Sequence, residues 1–248
     1  MNNNRLLYRR GILQLVASGF FLSTAGIALR LVEQADGWQI LFYRSLALSI
    51  TILLILVFQK GSRVFDEFRK LDWNDCLLAV FLGTGFVTYV FALLYNTVAN
   101  ALFIFSFAPF LAAFLGWILL GERVATRTWL AIGVAMAGLA VMVGSELALS
   151  HYLGTLLALW IPIAYAASII AVRRSKRDNM LVALCLAGLV ALVLSAFFVT
   201  DYALTSRDLI ISLYLGVFQV GMGFTLVVLG SRHVPAAQVG LLALVEPI

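Results

Sequence analysis

The fold is decided between residues 76 and 121, which read CLLAVFLGTGFVTYVFALLYNTVANALFIFSFAPFLAAFLGWILLG, 46 residues without a charge. A single helix of that length would measure about 69 Å, more than twice the hydrocarbon thickness of a bilayer, which is about 30 Å. A single membrane-spanning helix therefore cannot contain all of these residues. Polar residues between Asn96 and Asn100 offer a turn. We expect two membrane-spanning helices, at residues 76–95 and 100–120.

The rest of the chain is also rich in apolar residues and poor in charged ones. Hydrophobic residues make up 63% of its 248 positions and charged residues only 12%, whereas soluble domains carry about 25% charged residues. Apolar runs of about 20 residues fit helices, and no segment alternates in polarity over the roughly ten residues of a membrane β-strand. We therefore predict an all-α membrane protein with eight full spans and a ninth begun, the others at residues 11–29, 38–58, 128–145, 152–172, 179–200, 209–231 and from 236 onward.

Lysine and arginine residues orient these spans. With the N-terminus placed in the cytoplasm, 14 basic residues fall in inner loops and only 2, Arg30 and Arg207, in outer loops. That excess is the positive-inside pattern of membrane proteins. We therefore expect a multi-pass protein of the inner (cytoplasmic) membrane with a cytoplasmic N-terminus. The inner loops also explain the net charge of +5, so this charge does not indicate nucleic-acid binding.

The sequence lacks the common catalytic and cofactor motifs. It has no P-loop, no dinucleotide-binding Gly-x-Gly-x-x-Gly and no His-Glu-x-x-His metal motif. Cys76 and Cys185 have no cysteine or histidine at metal-ligand spacing, so neither a disulfide framework nor a metal site is indicated. We therefore expect no cofactor and no enzymatic activity.

Weak internal similarity indicates two related halves. Three pairs of segments match in the same order: residues 11–15 with 154–158, 81–83 with 214–216, and 99–109 with 237–247. A unit of five spans is odd-numbered, so its second copy enters the membrane upside down. Inverted repeats of this kind are typical of secondary transporters.

Four motifs make the chain resemble a known family. They are Phe42-Tyr43-Arg44-Ser45 in span two, Phe105-Ser106-Phe107-Ala108-Pro109-Phe110 followed by Gly121-Glu122-Arg123 in span four, Gly154-Thr155-Leu156-Leu157 in span six, and Val245-Glu246-Pro247 in span nine. The chain is similar over its whole length to EamA-type transporters of the drug/metabolite transporter superfamily. The resemblance implies two inverted five-helix repeats, ten helices in all, with cytoplasmic termini and transport of a metabolite or drug.

The two expected repeats are residues 11–145 and 152–248. The resemblance implies a second repeat that continues through helix nine into a tenth helix, whereas this sequence stops at Ile248. Pro235 to Ile248 is 14 residues, which as a helix measures about 21 Å and does not cross the bilayer. We therefore expect the second repeat to be incomplete, truncated in helix nine and lacking helix ten.

Two ionisable residues are predicted inside spans, Arg44 and Glu246. A charge near the bilayer centre costs at least about 2.5–3.5 kcal/mol, so it normally has a partner or a water-filled cavity. Arg44 lies about 9 Å from the outer end of its helix, and it either snorkels to the outer headgroups, lines a cavity or pairs with a carboxylate. Glu246 lies too deep to snorkel. It is a candidate for proton coupling, or for a structural ion pair with Arg44.

Uncharged polar residues suggest a substrate path between the helices. The candidates are Thr84, Thr88 and Tyr95 in span three, Gln14 in span one and Gln219 in span eight. The alternative is that such side chains hold helices together, which is common in membranes. Prolines within spans kink helices and can act as hinges, and the candidates are Pro109, Pro162 and Pro247.

Charges at the span ends have a simpler interpretation. Glu122 and Arg123 follow the fourth span, and we interpret them as a solvated helix end with a cation near the negative end of the helix dipole. The basic residues between positions 173 and 177 are interpreted mainly as orientation signals and only secondarily as lipid-binding residues.

These expectations combine into a secondary transporter that exports a small organic solute, such as a metabolite, an amino acid or a drug, by alternating access. The alternative is a polytopic membrane protein that does not transport, such as a sensor or an assembly factor. The lipid bilayer and a small-molecule substrate are the expected partners. Proton coupling and a homodimer stay open.

Overall fold

A computed structural model of the chain describes residues 2–122, 124–143, 152–175 and 180–243. These residues form helices and connecting loops, with no β-strand among them. The helices are α1 (Asn2–Ser23), α2 (Ala25–Arg30), α3 (Gly37–Lys60), α4 (Val64–Arg69), α5 (Trp73–Tyr95), α6 (Val98–Phe105), α7 (Ala108–Leu120), α8 (Thr126–Val143), α9 (Tyr152–Arg174), α10 (Leu181–Phe198), α11 (Ser206–Tyr214), α12 (Gly223–Ser231) and α13 (Ala236–Ala243). A π-helical segment, Leu215–Met222, joins α11 to α12. The prediction of an all-α fold is confirmed.

Seven helical stretches are long and apolar enough to cross a membrane: Arg5–Arg30, Gly37–Lys60, Trp73–Tyr95, Phe103–Leu120, Leu153–Arg174, Leu181–Phe198 and Ser206–Ser231. They correspond to predicted spans one to four and six to eight. The predicted fifth span forms α8 as far as Val143, but α8 is not among the seven. Residues 144–145 of that span and residues 244–248 of the ninth lie outside the described residues. Eight full spans were therefore predicted, and seven are found in the described part of the chain.

Polar caps and a glycine set several helix ends. Asp36 begins α3 with a reciprocal capping box, in which its carboxylate accepts the N–H of Gln39 at 2.8 Å. Asp72 and Asp75 form the same arrangement at the start of α5. At the end of α7, Gly121 has a φ of 65°, a left-handed conformation that favours a residue without Cβ.

Three spans contain interruptions. A turn at Thr24 separates α1 from α2. The fourth span is split between α6 and α7, just before Pro109, whose missing N–H and bulky ring disrupt the preceding helical turn. This break falls at the predicted kink. Pro162, in contrast, lies inside α9, which continues past it. The third interruption is the π-helical segment.

The two halves of the chain are interleaved. Helix α5 packs against α9 and α10, and α12 packs against α1. Helix α3 packs against α10, α11 and the π-helical segment, while α7 packs against α9 and α13. One apolar cluster is centred on α3, α5 and α10, and a second joins α1, α7, α9 and α13. The core therefore consists mainly of contacts between helices that are distant in sequence.

Two glycines allow close approaches between helices of the two halves of the chain. A Cβ added to Gly83 of α5 would lie 2.8 Å from Val190 Cβ in α10. A Cβ added to Gly216, in the π-helical segment, would collide with the backbone carbonyl of Arg44 in α3. Gly83 therefore lets α5 pack closely against α10, and Gly216 lets the π-helical segment pack closely against α3.

A second pair of glycines makes close contacts of the same kind. A Cβ on Gly154 of α9 would lie 2.6 Å from the carbonyl oxygen of Tyr95, at the end of α5. A Cβ on Gly11 of α1 would lie 3.0 Å from the carbonyl oxygen of Gly230, at the end of α12. Gly11 and Gly154 therefore each let a helix approach the end of another helix closely.

Candidate functional site

Arg44 lies buried between helices. The residue is 3% exposed, and its guanidinium carbon lies 5.7 Å from the ring centroid of Phe86 and 5.9 Å from that of Tyr89. Cation–π contacts of this kind are worth about 2 kcal/mol when the cation is desolvated. The position argues against the snorkelling interpretation and favours the cavity-lining one.

A central cavity adjoins this arginine. Its walls come from α3, α5, α6, α9, the π-helical segment and α12: Arg44, Leu82, Gly85, Phe86, Tyr89, Phe105, Ile161, Ala164, Tyr165, Gln219 and Phe224. It offers about 40 Å³ to the centres of water-sized molecules, and one water needs about 10–15 Å³. A few waters therefore fit, whereas a larger solute requires the helices to move apart.

Gln219 supplies an unsatisfied polar group to the cavity wall. Its side chain is 2% exposed, and its Oε1 atom has no hydrogen-bond donor. Leaving a buried polar atom unpaired costs about 1–3 kcal/mol. Gln219 lies in the π-helical segment, and such segments occur frequently at functional sites. Its place on a substrate path remains a prediction, and the unpaired oxygen can accept a hydrogen bond from water or a solute.

Thr84 and Thr88 do not line the cavity. The Thr84 hydroxyl donates to the Val80 carbonyl at 2.7 Å and accepts the indole N–H of Trp160 at 3.0 Å. The Thr88 hydroxyl bonds back to the carbonyl of Thr84 at 3.1 Å. Their geometry therefore favours the alternative interpretation, in which Thr84 helps to hold α5 against α9.

Tyr95 and Gln14 also lie away from the cavity. Tyr95 ends α5, is 50% exposed and packs against Phe91 with ring centroids 5.5 Å apart. Gln14 is partly exposed on α1. Neither is among the described residues that line the cavity, so of the uncharged path candidates only Gln219 is placed there.

Glu246 and Pro247 lie outside the described residues. The predicted pairing of Arg44 with Glu246 and the hinge at Pro247 therefore remain predictions. Among the described residues that line the cavity, none is an aspartate or a glutamate.

An ion pair that the sequence analysis missed joins several helices at one end of the bundle. Arg173, near the end of α9, places Nε 2.6 Å from Glu122 Oε1, and its Nη1 donates to the carbonyls of Ser231 and Val234. Glu122 Oε2 accepts the N–H of Ala236 at 3.0 Å. Interpreting Glu122 as a solvated helix end was therefore wrong, because its partners come from distant segments that sequence spacing cannot identify.

A small space, the passage, borders the central cavity on the side of this network. It shares Leu82, Tyr165 and Phe224 with the cavity and is also lined by Val172 and Ser231. Val172 precedes Arg173 in the chain, and Ser231 supplies one of its acceptors. The Glu122–Arg173 network therefore lies beside the passage.

A second polar network joins the halves at the opposite ends of the helices. The carboxylate of Asp208, in α11, accepts the backbone N–H groups of Glu33, Gln34 and Ala35 at 3.0 Å each. Gln39 donates to the carbonyls of Asp201 and Ala203 at 2.9 and 3.1 Å. These bonds attach the loop between α2 and α3, together with the start of α3, to the start of α11 and the segment before it.

Comparison with known proteins identifies the group to which this architecture belongs. No curated protein sequence matches the chain. A solved structure titled "Crystal structure of protein" has a TM-score of 0.80 and 17% identity, covering 96% of this chain and 85% of its own, so it shares the fold. Residues 9–144 match the EamA-like transporter family. Because this match spans more than half of the chain, the protein belongs to the EamA-like transporter family.

Proposed function

We propose that this chain is a secondary transporter that exports a small organic solute from the cytoplasm by alternating access. The observation that carries the proposal is the central cavity, in which buried Arg44 and the unpaired oxygen of Gln219 face a largely aromatic wall. Leaving the Gln219 Oε1 atom without a hydrogen-bond donor is costly in a membrane interior. A bound solute that donates a hydrogen bond to Gln219 offsets part of that cost, and the Arg44 guanidinium in the same wall can bind an acceptor group of that solute.

The substrate class follows from these groups. Arg44 suits a carboxylate or another hydrogen-bond acceptor, Gln219 suits an N–H or O–H donor, and Phe86, Tyr89 and Phe224 suit an apolar body. A metabolite, an amino acid or a polar drug has this combination. Proton coupling through Glu246 belongs to the same proposal, as does location in the inner membrane with the N-terminus in the cytoplasm.

We further propose that residues 11–145 and 152–248 are inverted repeats of a ten-helix plan. Under this plan each helix has a counterpart in the other repeat, and contacts between helices should occur in equivalent pairs. The contact of α5 with α9 is then equivalent to the contact of α12 with α1, and the contact of α7 with α9 is equivalent to the contact of α13 with α1. The contact of α5 with α10 is likewise equivalent to the contact of the π-helical segment with α3. The glycine pairs described above support the same correspondence.

Alternating access requires that one end of the cavity opens while the other stays closed. The Glu122–Arg173 network joins the two proposed repeats at one end, and the Asp208 network joins them at the other. Both networks consist of a few polar contacts, which can exchange for contacts with water. This arrangement supports opening at the ends, with the apolar clusters staying packed.

Flux into proteoliposomes tests the proposal. The purified chain is reconstituted and screened against labelled metabolites, amino acids and drugs, with empty vesicles as the control. We expect flux of at least one solute, lost in Arg44→Ala and kept in Gln14→Leu, which alters a residue away from the cavity. Absence of flux for every solute, with the protein correctly inserted, would favour a sensor or an assembly factor.

A further inference from the structure

A long apolar groove lies on the outside of the bundle, separate from the central cavity. Helices α5 and α7 each pack extensively against α9 without packing closely against each other. The gap between them is floored by Ala167 and Ala171 of α9 and walled by Leu77, Phe81, Leu115 and Leu119. It offers about 560 Å³ to the centres of water-sized molecules, against about 40 Å³ for the central cavity. Small floor residues therefore create room for an apolar chain.

Polar residues occupy only one end of this groove. Arg174 is the last residue of α9, and Trp73 and Asn74 are the first two of α5. Helix ends that meet in this way mark a membrane interface, where exposed tryptophan is typical, and Trp73 is 74% exposed. The groove therefore runs from a polar, basic mouth into the hydrocarbon region.

Arg174 differs from its neighbour Arg173. Arg173 is engaged with Glu122 and two backbone carbonyls. Arg174 is exposed and makes no hydrogen bond or ion pair with any residue in the described part of the chain. Its guanidinium can therefore receive an anion at the groove mouth without breaking an existing contact.

We propose that this groove binds an anionic phospholipid from the leaflet at the Arg174 end, which is the predicted cytoplasmic leaflet. One acyl chain lies over Ala167 and Ala171, and the phosphate accepts from Arg174. Charge complementarity selects this occupant, because basic pockets between membrane helices on the cytoplasmic side attract anionic headgroups. An apolar helix from a second copy would fill the groove but would leave the Arg174 charge uncompensated.

Native mass spectrometry of the delipidated full chain tests the site. The probes are dioleoyl phosphatidylglycerol and dioleoyl phosphatidylcholine, which have the same acyl chains and differ in net charge. We expect tighter binding of phosphatidylglycerol to the wild type. Arg174→Ala should weaken that binding about fivefold, which corresponds to about 1 kcal/mol per basic residue near a membrane surface. Arg127→Ala is the matched control, because it removes an exposed arginine at the start of α8.

A second pair of variants tests whether an acyl chain occupies the groove. Ala167→Leu fills the groove floor and should weaken both lipids, whereas Ala131→Leu, on an exposed position of α8, should weaken neither. Equal binding of the two lipids to the wild type, or equal losses in Arg174→Ala and Arg127→Ala, would overturn the proposal. So would disulfide cross-linking between copies through Ala167→Cys in a Cys76→Ser background, since it would place a second chain in the groove. All of these readouts are independent of solute flux.

Discussion

Arg173 and Glu122 form an ion pair between the ends of α9 and α7, with Arg173 Nη2 2.5 Å from Glu122 Oε1. The two side chains are 19% and 18% exposed, so water screens the pair only partly. Glu122 also accepts the N–H of Ala236 at the start of α13. One carboxylate therefore ties together three helices, α7 of the first proposed repeat and α9 and α13 of the second.

Removing this carboxylate is expected to loosen the passage beside it. Glu122→Ala should lower the free energy of unfolding by about 1–3 kcal/mol, because it leaves Arg173 and the Ala236 N–H without an acceptor. Ser168→Cys, which lines the passage, should then react faster with a thiol reagent. Glu122→Gln keeps an acceptor for Ala236 and should have a smaller effect. An unchanged labelling rate in Glu122→Ala would show that the network does not close the passage.

Gln219→Leu is expected to separate stability from transport. Leucine removes the unpaired buried oxygen, so the free energy of unfolding in detergent should stay equal or rise by about 1 kcal/mol. Solute flux should fall, because the donor group of the substrate loses its acceptor. Gln14→Leu serves as the control away from the cavity. A Gln219→Leu protein with full flux would remove Gln219 from the binding site.

Thr84 is expected to act in helix packing. Thr84→Val removes the acceptor for the Trp160 indole N–H. It should lower the free energy of unfolding by about 0.6 kcal/mol, the average for side-chain hydrogen bonds between membrane helices. Flux per folded molecule should not change. Thr88→Val removes a hydroxyl that bonds within its own helix, so it should lower the free energy of unfolding less than Thr84→Val does. Lost flux at normal stability in Thr84→Val would restore Thr84 to the substrate path.

Membrane orientation can be tested with single cysteines and an impermeant thiol reagent. Because basic residues concentrate in the predicted inner loops, Lys176→Cys should be protected in intact cells and His151→Cys should be labelled. Disrupting the cells should make both positions reactive, which controls for local burial. Labelling of Lys176→Cys from outside would invert the predicted topology.

Glu246 carries the prediction for energy coupling. If it binds a proton on one side of the membrane and releases it on the other, Glu246→Gln should insert normally but lose proton-driven accumulation of solute. The measurement is uptake into proteoliposomes with and without an imposed pH gradient. An unchanged dependence on pH would exclude Glu246 as the coupling site. Failure of the variant to accumulate in the membrane would favour the structural ion pair with Arg44.

The sequence by itself determined the class of the protein and most of its spans. Apolar runs of membrane-spanning length predict helices, because backbone groups in lipid must form hydrogen bonds within their own segment. The turn at Asn96 and the break before Pro109 follow from local chemistry in the same way. The motifs around Arg44 and Pro109 also identified the family, which the match over residues 9–144 confirms.

The tertiary structure alone decided which polar residues meet. Thr84 and Gln219 are both polar residues in apolar helices, yet one bonds to Trp160 and the other borders the cavity with an unpaired oxygen. Glu122 and Arg173 are 51 positions apart, and each alone resembles an ordinary helix end. Helical periodicity specifies the face on which a side chain lies. It does not specify the neighbouring helix, because that choice depends on shape complementarity between segments far apart in the sequence.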